Sequence, residues 1–138
     1  MENVEILLVE DNAGDAVLIR QILAEASVPL NLHIARDGEQ AMTMLRDALF
    51  RPDFIILDLN IPRITGVALL ERWKSMDIPV VVFSSSLNDA ERERVLALGA
   101  REFIQKPTDI EAFTKAVCDL VQRYAGSGGS TAAGGVGV

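Results

Sequence analysis

Short apolar runs, rich in β-branched residues, alternate along this chain with longer segments of helical period. Three of the runs are almost wholly apolar, which suits strands that helices cover on both faces, as in a parallel sheet. The alternation predicts five strands, each followed by a helix. The predicted strands are residues 5–9, 31–35, 54–57, 80–83 and 102–105.

Capping signals indicate where the helices begin. Asn88 followed by Glu91 is typical of a capping box at the start of the fourth helix, and Gly99 is placed to end that helix. Thr108 and Glu111 form the same signature before the fifth helix. The first three helices are predicted at residues 15–26, 39–49 and 67–75.

This order of elements predicts an α/β fold. Strand followed by helix five times over implies right-handed crossovers and a doubly wound sandwich, with a five-stranded parallel sheet and five helices. The 138 residues, of which 49% are hydrophobic, suffice for one domain but not for two. We expect this domain to span residues 1–125 and the Gly-rich residues 126–138 to form a flexible tail.

Composition narrows the class of protein. The formal net charge of -7 argues against nucleic-acid binding, because phosphate contacts need clustered Lys and Arg. No apolar run reaches membrane-spanning length, and acidic residues stand near the start, where a signal peptide needs positive ones. We therefore expect a cytoplasmic protein that binds no membrane. The single cysteine, Cys118, and the single histidine, His33, are interpreted as structural.

Polar side chains follow four of the five predicted strands. The carboxyl ends of parallel strands meet at one edge of the sheet, where α/β folds bind ligands. Three carboxylates at that edge repel one another, so we expect Mg²⁺ and a lysine to neutralise them. The residues are Glu10 and Asp11 after the first strand, Asp58 after the third, Ser84 and Ser85 after the fourth, and Lys106 with Pro107 after the fifth.

This set of residues can carry phosphoryl chemistry. A carboxylate such as that of Asp58 can attack a phosphoryl group and hold it as an aspartyl phosphate, while a metal ion and Lys106 neutralise the phosphoryl oxygens. The hydroxyl of Ser84 can donate a hydrogen bond to one of those oxygens. Each residue alone is more simply a turn former or a solvated side chain, but the ordered set predicts a phosphoacceptor site.

Four segments carry a family resemblance: LLVEDN, DLNIPRITG, VVVFSSS and IQKP. In this order and at this spacing, they resemble the diagnostic segments of the receiver domains of two-component response regulators, over about residues 4–124. The resemblance implies a flavodoxin-like receiver topology. It also implies that Asp58 accepts a phosphoryl group from a sensor histidine kinase and that the protein is a phosphoacceptor, not an enzyme with a separate substrate.

The resemblance implies roles for the acidic residues. Asp11 and Asp58 would ligate Mg²⁺ together with the backbone carbonyl of Asn60, and Glu10 would contribute through a bound water. Many relatives have Asp at the position of Glu10. This departure removes no required function, because both side chains carry a carboxylate.

It also implies roles for residues around the acidic cluster. Ser84 and Phe103 match the hydroxyl and the aromatic ring that switch conformation, although Phe103 lacks the hydroxyl of the more common tyrosine. Lys106 matches the lysine of the phosphoacceptor site, and Pro107 matches a position where the Lys–Pro bond is typically cis. Gly66 matches the glycine that lets the loop after the acceptor enter the third helix.

Phosphorylation would then reshape the surface of the fourth helix, the fifth strand and the fifth helix, for protein binding or for homodimerisation. Two segments, EDNAGDAVLI and DLNIP, further resemble a subgroup of single-domain regulators that serve phytochrome-type histidine kinases. The resemblance therefore implies a sensor histidine kinase, of the bacteriophytochrome kind, as the partner.

Three alternatives share parts of this pattern. A phosphatase of the haloacid dehalogenase type needs a second aspartate two residues after the nucleophile, where this chain has Asn60. A flavodoxin-like binding module needs a phosphate loop after the first strand, whereas EDNAGD is acidic and would repel a phosphate. A receiver fold that acts as a scaffold without phosphorylation is disfavoured by the complete residue set.

Overall fold

The computed structural model describes residues 3–85 and 88–132, with side chains as far as residue 125. Strands and helices alternate, and the strands form one parallel sheet in the order β2-β1-β3-β4-β5. This confirms the predicted doubly wound fold. The elements are β1 (Val4–Val9), α1 (Ala13–Ala24), β2 (Leu30–Ala35), α2 (Gly38–Arg46), β3 (Phe54–Leu57), α3 (Gly66–Arg72), β4 (Val80–Ser84), α4 (Asp89–Ala97), β5 (Glu102–Gln105) and α5 (Ile110–Ala132).

The sheet divides the apolar interior into two clusters. Leu7 and Val9 of β1 contribute to the cluster beneath α2, α3 and α4, whereas Ile6 and Leu8 contribute to the cluster beneath α1 and α5. Successive side chains of a strand point to opposite faces, so a strand covered on both faces must be apolar at every position. This explains the continuous apolar runs in the sequence.

The strand register sets where the polar residues after the strands lie. Val9 of β1 pairs with both Ala35 and Leu57. The amide of Glu10 donates to the carbonyl of Ala35 at 2.9 Å, and the amide of Asp58 donates to the carbonyl of Val9 at 3.0 Å. The backbones of Glu10 and Asp58 are therefore fixed side by side at the carboxyl edge of the sheet.

The first three helices begin one or two residues earlier than predicted, because the capping residues there are Asn12, Asp37 and Thr65. Each of these side chains accepts a hydrogen bond from the amide three residues later, at 2.9, 2.7 and 3.2 Å respectively. The sequence contains these signals, but the apolar periodicity used to predict the helices starts after them.

The ends of α4 agree with prediction, whereas the start of α5 does not. Asn88 caps α4, and Gly99 follows it with a φ of 107°, a left-handed conformation that favours glycine. The predicted cap of α5 at Thr108 is wrong. Asp109 takes that position, because its Oδ2 accepts from the amide of Ala112 at 2.9 Å.

The helical backbone of α5 continues to Ala132, beyond the predicted domain boundary at residue 125. Composition alone disfavours a helix there, because each Gly costs about 1 kcal/mol in a helix interior. Residues 133–138 lie outside the described residues, so the flexible tail stays a prediction for them. Ser86 of the VVVFSSS segment also lies outside them. Within the described part of the chain, no helix has the length and apolar character needed to cross a membrane.

Candidate functional site

Three carboxylates converge at the carboxyl edge of the sheet, as the sequence predicts. One carboxylate oxygen each from Glu10, Asp11 and Asp58 lies within 4.8 Å of the others. Glu10 and Asp58 are buried, with 1% and 6% of their surfaces exposed, whereas Asp11 is exposed. Two carboxylates so deeply buried require a compensating positive charge.

Lys106 supplies that charge from the end of β5. Its Nζ donates to Glu10 Oε1 at 2.7 Å, to Asp15 Oδ2 at 2.8 Å and to Asp58 Oδ2 at 3.1 Å. An ammonium group has three hydrogens, so these contacts can use all of them. The lysine therefore joins the ends of β1, β3 and β5 to the first turn of α1.

Asp15 is the member of this group that sequence reasoning missed. The sequence pattern predicts for it only a position at the start of α1. Its position within EDNAGD, four residues after Asp11 and in the first turn of α1, is the signal that could have found it.

The pKa of Glu10 is raised to about 7, first because burial disfavours its charged form. A hydrogen bond and repulsion involving Asp58 raise the pKa further, while Lys106 opposes the change. Burial alone would lower the pKa of Lys106, but its hydrogen bonds to Asp15 and Glu10 and its attraction to the carboxylates outweigh burial and raise it. At neutral pH the lysine is therefore charged, and Glu10 is partly protonated, because its pKa is about 7.

Two backbone amides orient the buried carboxylates. The amide of Asn60 donates to Asp58 Oδ1 at 3.1 Å, and the amide of Asn12 donates to Glu10 Oε2 at 3.2 Å. With Lys106 on the second oxygen of Asp58, both oxygens of this carboxylate have a donor. The carboxylate is thus held in one orientation by groups that also stabilise its negative charge.

Gly66 lies directly against the backbone that carries Asp58. A Cβ at this position would be 2.7 Å from the Cα of Leu59 and 3.1 Å from the carbonyl oxygen of Asp58. The amide of Gly66 also donates to the carbonyl of Leu59 at 3.3 Å. The end of the loop after β3, at Gly66, therefore packs against its beginning, at Asp58 and Leu59. A side chain at Gly66 would push the loop away from the site.

Ser84 and Phe103 lie on the two strands beyond β3. Ser84 ends β4 with none of its surface exposed, and its carbonyl accepts from the amide of Lys106 at 2.8 Å. Phe103 pairs with Val82 across the sheet and packs, half-buried, against the cluster beneath α4. Ser84 is thus joined to Lys106 through its backbone, and Phe103 lies three residues before Lys106, on β5.

The peptide bond before Pro107 differs from expectation. Every described peptide bond is trans, and this includes Lys106–Pro107, so the cis bond implied by the resemblance is not found. The trans form of an X–Pro bond is favoured by only about 0.5–1 kcal/mol, so sequence does not decide the isomer. With the trans bond, Lys106 still reaches the carboxylates of Glu10, Asp15 and Asp58.

His33 and Cys118 lie away from this edge. His33 Nε2 is 2.7 Å from Glu5 Oε1, and its ring packs against Phe50 at a centroid distance of 4.7 Å. Cys118 is half-buried on α5 against the cluster beneath α1 and α5. Both have the structural surroundings that the sequence predicts.

The donor set of the acidic cluster fits a magnesium ion. Mg²⁺ prefers hard oxygen ligands, and is usually held by one or two carboxylates together with waters and phosphate oxygens. Glu10, Asp11 and Asp58 offer such oxygens within the span of one ion. With Asp15, four carboxylates surround the site, so their charge can balance both Lys106 and a divalent ion.

Comparison with known proteins shows the family. A family model described as the response regulator receiver domain matches residues 6–118. The chain is 31% identical, over 112 residues, to a protein-glutamate methylesterase/protein-glutamine glutaminase of Methanospirillum hungatei. That match covers 78% of this chain but only 32% of the relative. The chain thus spans about a third of the length of that protein.

Solved structures resemble this fold over most of the chain. The phosphorylated cyanobacterial phytochrome response regulator RcpA is 33% identical, with a TM-score of 0.85 over 91% of this chain and 96% of that one. The Mn²⁺-bound response regulator Rcp1 is 30% identical, with a TM-score of 0.80 over 86% and 92%. With a family match over most of its length and this likeness in fold, the chain belongs to the response regulator receiver domain family.

Proposed function

We propose that this chain is the phosphoacceptor of a two-component system, and that Asp58 accepts the phosphoryl group in a Mg²⁺-dependent reaction. The observation that carries the proposal is the position of Asp58. It is buried between Lys106, at 3.1 Å, and the carboxylates of Glu10 and Asp11. In this surrounding, a carboxylate can act as a nucleophile and the charge on the phosphoryl oxygens can be neutralised.

In the reaction, an oxygen of Asp58 attacks the phosphorus of a phosphohistidine. The new O–P bond forms as the P–N bond breaks, and the imidazole leaves with the electron pair of that bond. The hydrogen bonds from Lys106 and from the amide of Asn60 hold the carboxylate in place before the attack. Water later hydrolyses the acyl phosphate and restores the carboxylate.

The metal site is proposed from the same residues. Asp11, Asp58 and the carbonyl of Asn60 would bind Mg²⁺, and Glu10 would act through a bound water. The ion supplies positive charge to the phosphoryl oxygens when it is bound. Lys106, from the end of β5, provides a second positive charge through its contact with Oδ2 of Asp58.

An open cleft lies beside Lys106, and Asp58 is not among its lining residues. Its volume is about 350 Å³, and its lining includes Asp15, Leu18, Ser85 and Pro107. We propose that the donor is a sensor histidine kinase of the phytochrome type, because RcpA, which the chain resembles over most of its length, is a phytochrome response regulator.

The proposed switch uses the strands next to the site. A phosphoryl group adds a charge of about -1.5 to -2 and three acceptor oxygens. The Ser84 hydroxyl, at the buried end of β4, would move towards one of these oxygens, and Phe103 would turn into the space that it leaves. The surface of α4, β5 and α5 would then change, to bind another protein or a second copy of this chain.

The proposal describes a cytoplasmic switch that turns over no separate substrate and binds neither nucleic acid nor membrane. A phosphatase of the haloacid dehalogenase type would need a carboxylic acid in place of the Asn60 amide. An amide cannot exchange a proton with a leaving group at neutral pH.

The direct test is to incubate the wild type with Mg²⁺ and a small acyl phosphate, and to measure intact mass and size-exclusion volume. The wild type should gain the mass of one phosphoryl group, whereas Asp58→Asn should gain none and keep its fold. Asp119→Asn, on the exposed face of α5, is the matched control and should react like the wild type. Labelling of Asp58→Asn at the wild-type rate would refute the assignment.

A further inference from the structure

The segment that joins β2 to α2, made of loop residues 36 and 37 and the first helical residue 38, contacts both loops that hold the proposed metal ligands. Arg36 Nη2 donates to the carbonyl oxygen of Asp11 at 3.3 Å. Asp37 Oδ2 pairs with Arg63 Nε at 3.2 Å, across to the loop that follows Asp58. None of these contacts touches the carboxylates themselves, so the loop acts on the backbone that carries them.

Gly38 brings the two backbones into direct contact. Its amide donates to the carbonyl of Pro62 at 3.3 Å. A Cβ at Gly38 would lie 2.3 Å from the carbonyl oxygen of Ile64, which is closer than any real contact. The loop after β3 therefore rests on the first residue of α2 with no space between them.

The loop after β3 needs such a support. Arg63 has a φ of 73°, in the left-handed region that non-glycine residues seldom adopt. This turn brings the chain back from Asn60 towards Gly66. A residue persists in this conformation only where its surroundings hold it there. Three contacts from the neighbouring segment support this turn. They are the ion pair with Asp37, the hydrogen bond from Gly38 to Pro62, and the close approach of Gly38 to Ile64.

We infer that Arg36, Asp37 and Gly38 are positioning residues, which brace the backbones of Asp11 and Asn60 and so set the affinity of the site for Mg²⁺. The inference rests on the proposed function, since it takes Asp11 and the carbonyl of Asn60 as ligands. It adds a third loop, from the opposite side of β1, to the structure that supports the site.

Asp37 has two roles, and the test must separate them. Its Oδ1 caps α2 by accepting from the amide of Gln40 at 2.7 Å, while its Oδ2 pairs with Arg63. Asp37→Asn keeps a capping oxygen but removes the charge, because Asn and Asp cap helices about equally well. Arg63→Gln removes the same pair from the other side and leaves the cap untouched, and Arg63→Lys retains the positive charge.

The measurement is the Mg²⁺ dissociation constant, by isothermal titration calorimetry on the full chain. Asp37→Asn and Arg63→Gln should each weaken binding by about two- to five-fold, the size expected for one partly exposed ion pair. The double variant should lose no more than either single one, because both remove the same interaction. Arg63→Lys should restore most of the affinity.

Gly38→Ala should have a larger effect on Mg²⁺ affinity than the two charge variants. Alanine favours the helix more than glycine does, so a purely local effect would stabilise α2. We expect Mg²⁺ binding to weaken by about ten-fold or more, since the loop after β3 must move to admit the methyl group. Gly14→Ala, in the first turn of α1, is the matched control, because its Cβ meets only a side-chain atom of Asn12, at 3.3 Å.

The outcomes distinguish this inference from the proposed function. If the wild type binds no Mg²⁺, the proposed function fails. If the wild type binds Mg²⁺ and Asp37→Asn, Arg63→Gln and Gly38→Ala bind it equally well, the bracing role is overturned and the proposed function stands. A similar loss in Lys115→Gln, which breaks a remote ion pair on α5, would also overturn it. Thermal unfolding in the presence of a chelator confirms that each variant is folded.

Discussion

The ammonium nitrogen of Lys106 lies 2.8 Å from Oδ2 of Asp15, so that the first residue after β5 is tied to the first turn of α1. These residues are 91 positions apart in the sequence. The same nitrogen contacts Glu10 and Asp58, so Asp15 shares the lysine with the two buried carboxylates.

This sharing predicts unequal effects of substitution on stability. Asp15→Asn should lower the free energy of unfolding by about 0.5–1 kcal/mol, because Asp15 is partly exposed and Lys106 keeps two partners. Lys106→Met should lower it by about 3 kcal/mol or more, because it leaves buried carboxylates without a cation. Urea unfolding in a chelator, followed by the fluorescence of Trp73, measures both. Equal losses would contradict the assigned roles.

The raised pKa of Glu10 predicts a pH dependence of metal binding. A proton on Glu10 competes with Mg²⁺, so affinity should rise as the pH increases through about 7, the pKa of Glu10 in the folded protein. The rise should be largely complete by about pH 8. Titrations with Mg²⁺ at several pH values test this, and Glu10→Gln should flatten the curve. An unchanged slope in that variant would show that another group titrates.

The same pKa predicts how stability varies without metal. Glu10 holds its proton more tightly in the folded state than in the unfolded state, where its pKa is near 4.5. Its contribution to stability is therefore fully present below pH 4.5 and is lost as the pH rises through about 7. The free energy of unfolding of the metal-free protein should fall across this window relative to Glu10→Gln. A rise in the free energy of unfolding across this window would show that Glu10 holds its proton less tightly in the folded state.

Gly66→Ala should damage both stability and phosphorylation. The added methyl group would meet the Cα of Leu59 and the carbonyl of Asp58, which are backbone atoms that cannot rotate away. We expect the free energy of unfolding to fall by about 1–3 kcal/mol, as for other overpacked positions. The rate of labelling by a small acyl phosphate should fall as well, since the acceptor loop must shift. Labelling at the wild-type rate would show that the close packing has no role in the chemistry.

Tyr124 offers a spectroscopic check of the packing of β5 against α5. Its hydroxyl donates to Glu102, and its pKa is raised to about 12, first by burial and then by this hydrogen bond. Because Tyr124 is the single tyrosine, phenolate absorbance reports on it alone. The folded protein should titrate near pH 12, whereas the urea-unfolded chain should titrate near pH 10. This contribution to stability is present below pH 10 and is lost as the pH rises through about 12. A midpoint near pH 10 with circular dichroism unchanged would argue against the contact.

The sequence predicted the strands and the acidic edge for one physical reason. A strand buried on both faces must be apolar throughout, so its end is marked by the first polar residue, and parallel strands bring such ends together. Glu10, Asp58 and Lys106 each take their positions directly from this rule. No side-chain packing had to be known to place them.

Other features depend on tertiary contacts or on small energy differences. The contact between Asp15 and Lys106 joins two residues that are 91 positions apart, and no local pattern specifies it. Thr108 and Asp109 are both good caps, so the choice between them is decided by which oxygen reaches an amide. The ion pair between Asp37 and Arg63 joins two loops that no sequence pattern associates.

The position of β5 at the rim of the sheet has a mechanical consequence. This strand pairs only with β4, over four residues, and the lysine that follows it reaches inward past β4 to the ends of β3 and β1. Its terminus is held by attraction between charges, and any new anion at Asp58 would compete for that attraction. Of the two edge strands, β5 has fewer paired residues than β2. A change of charge at Asp58 can therefore displace β5 with the fewest broken backbone hydrogen bonds.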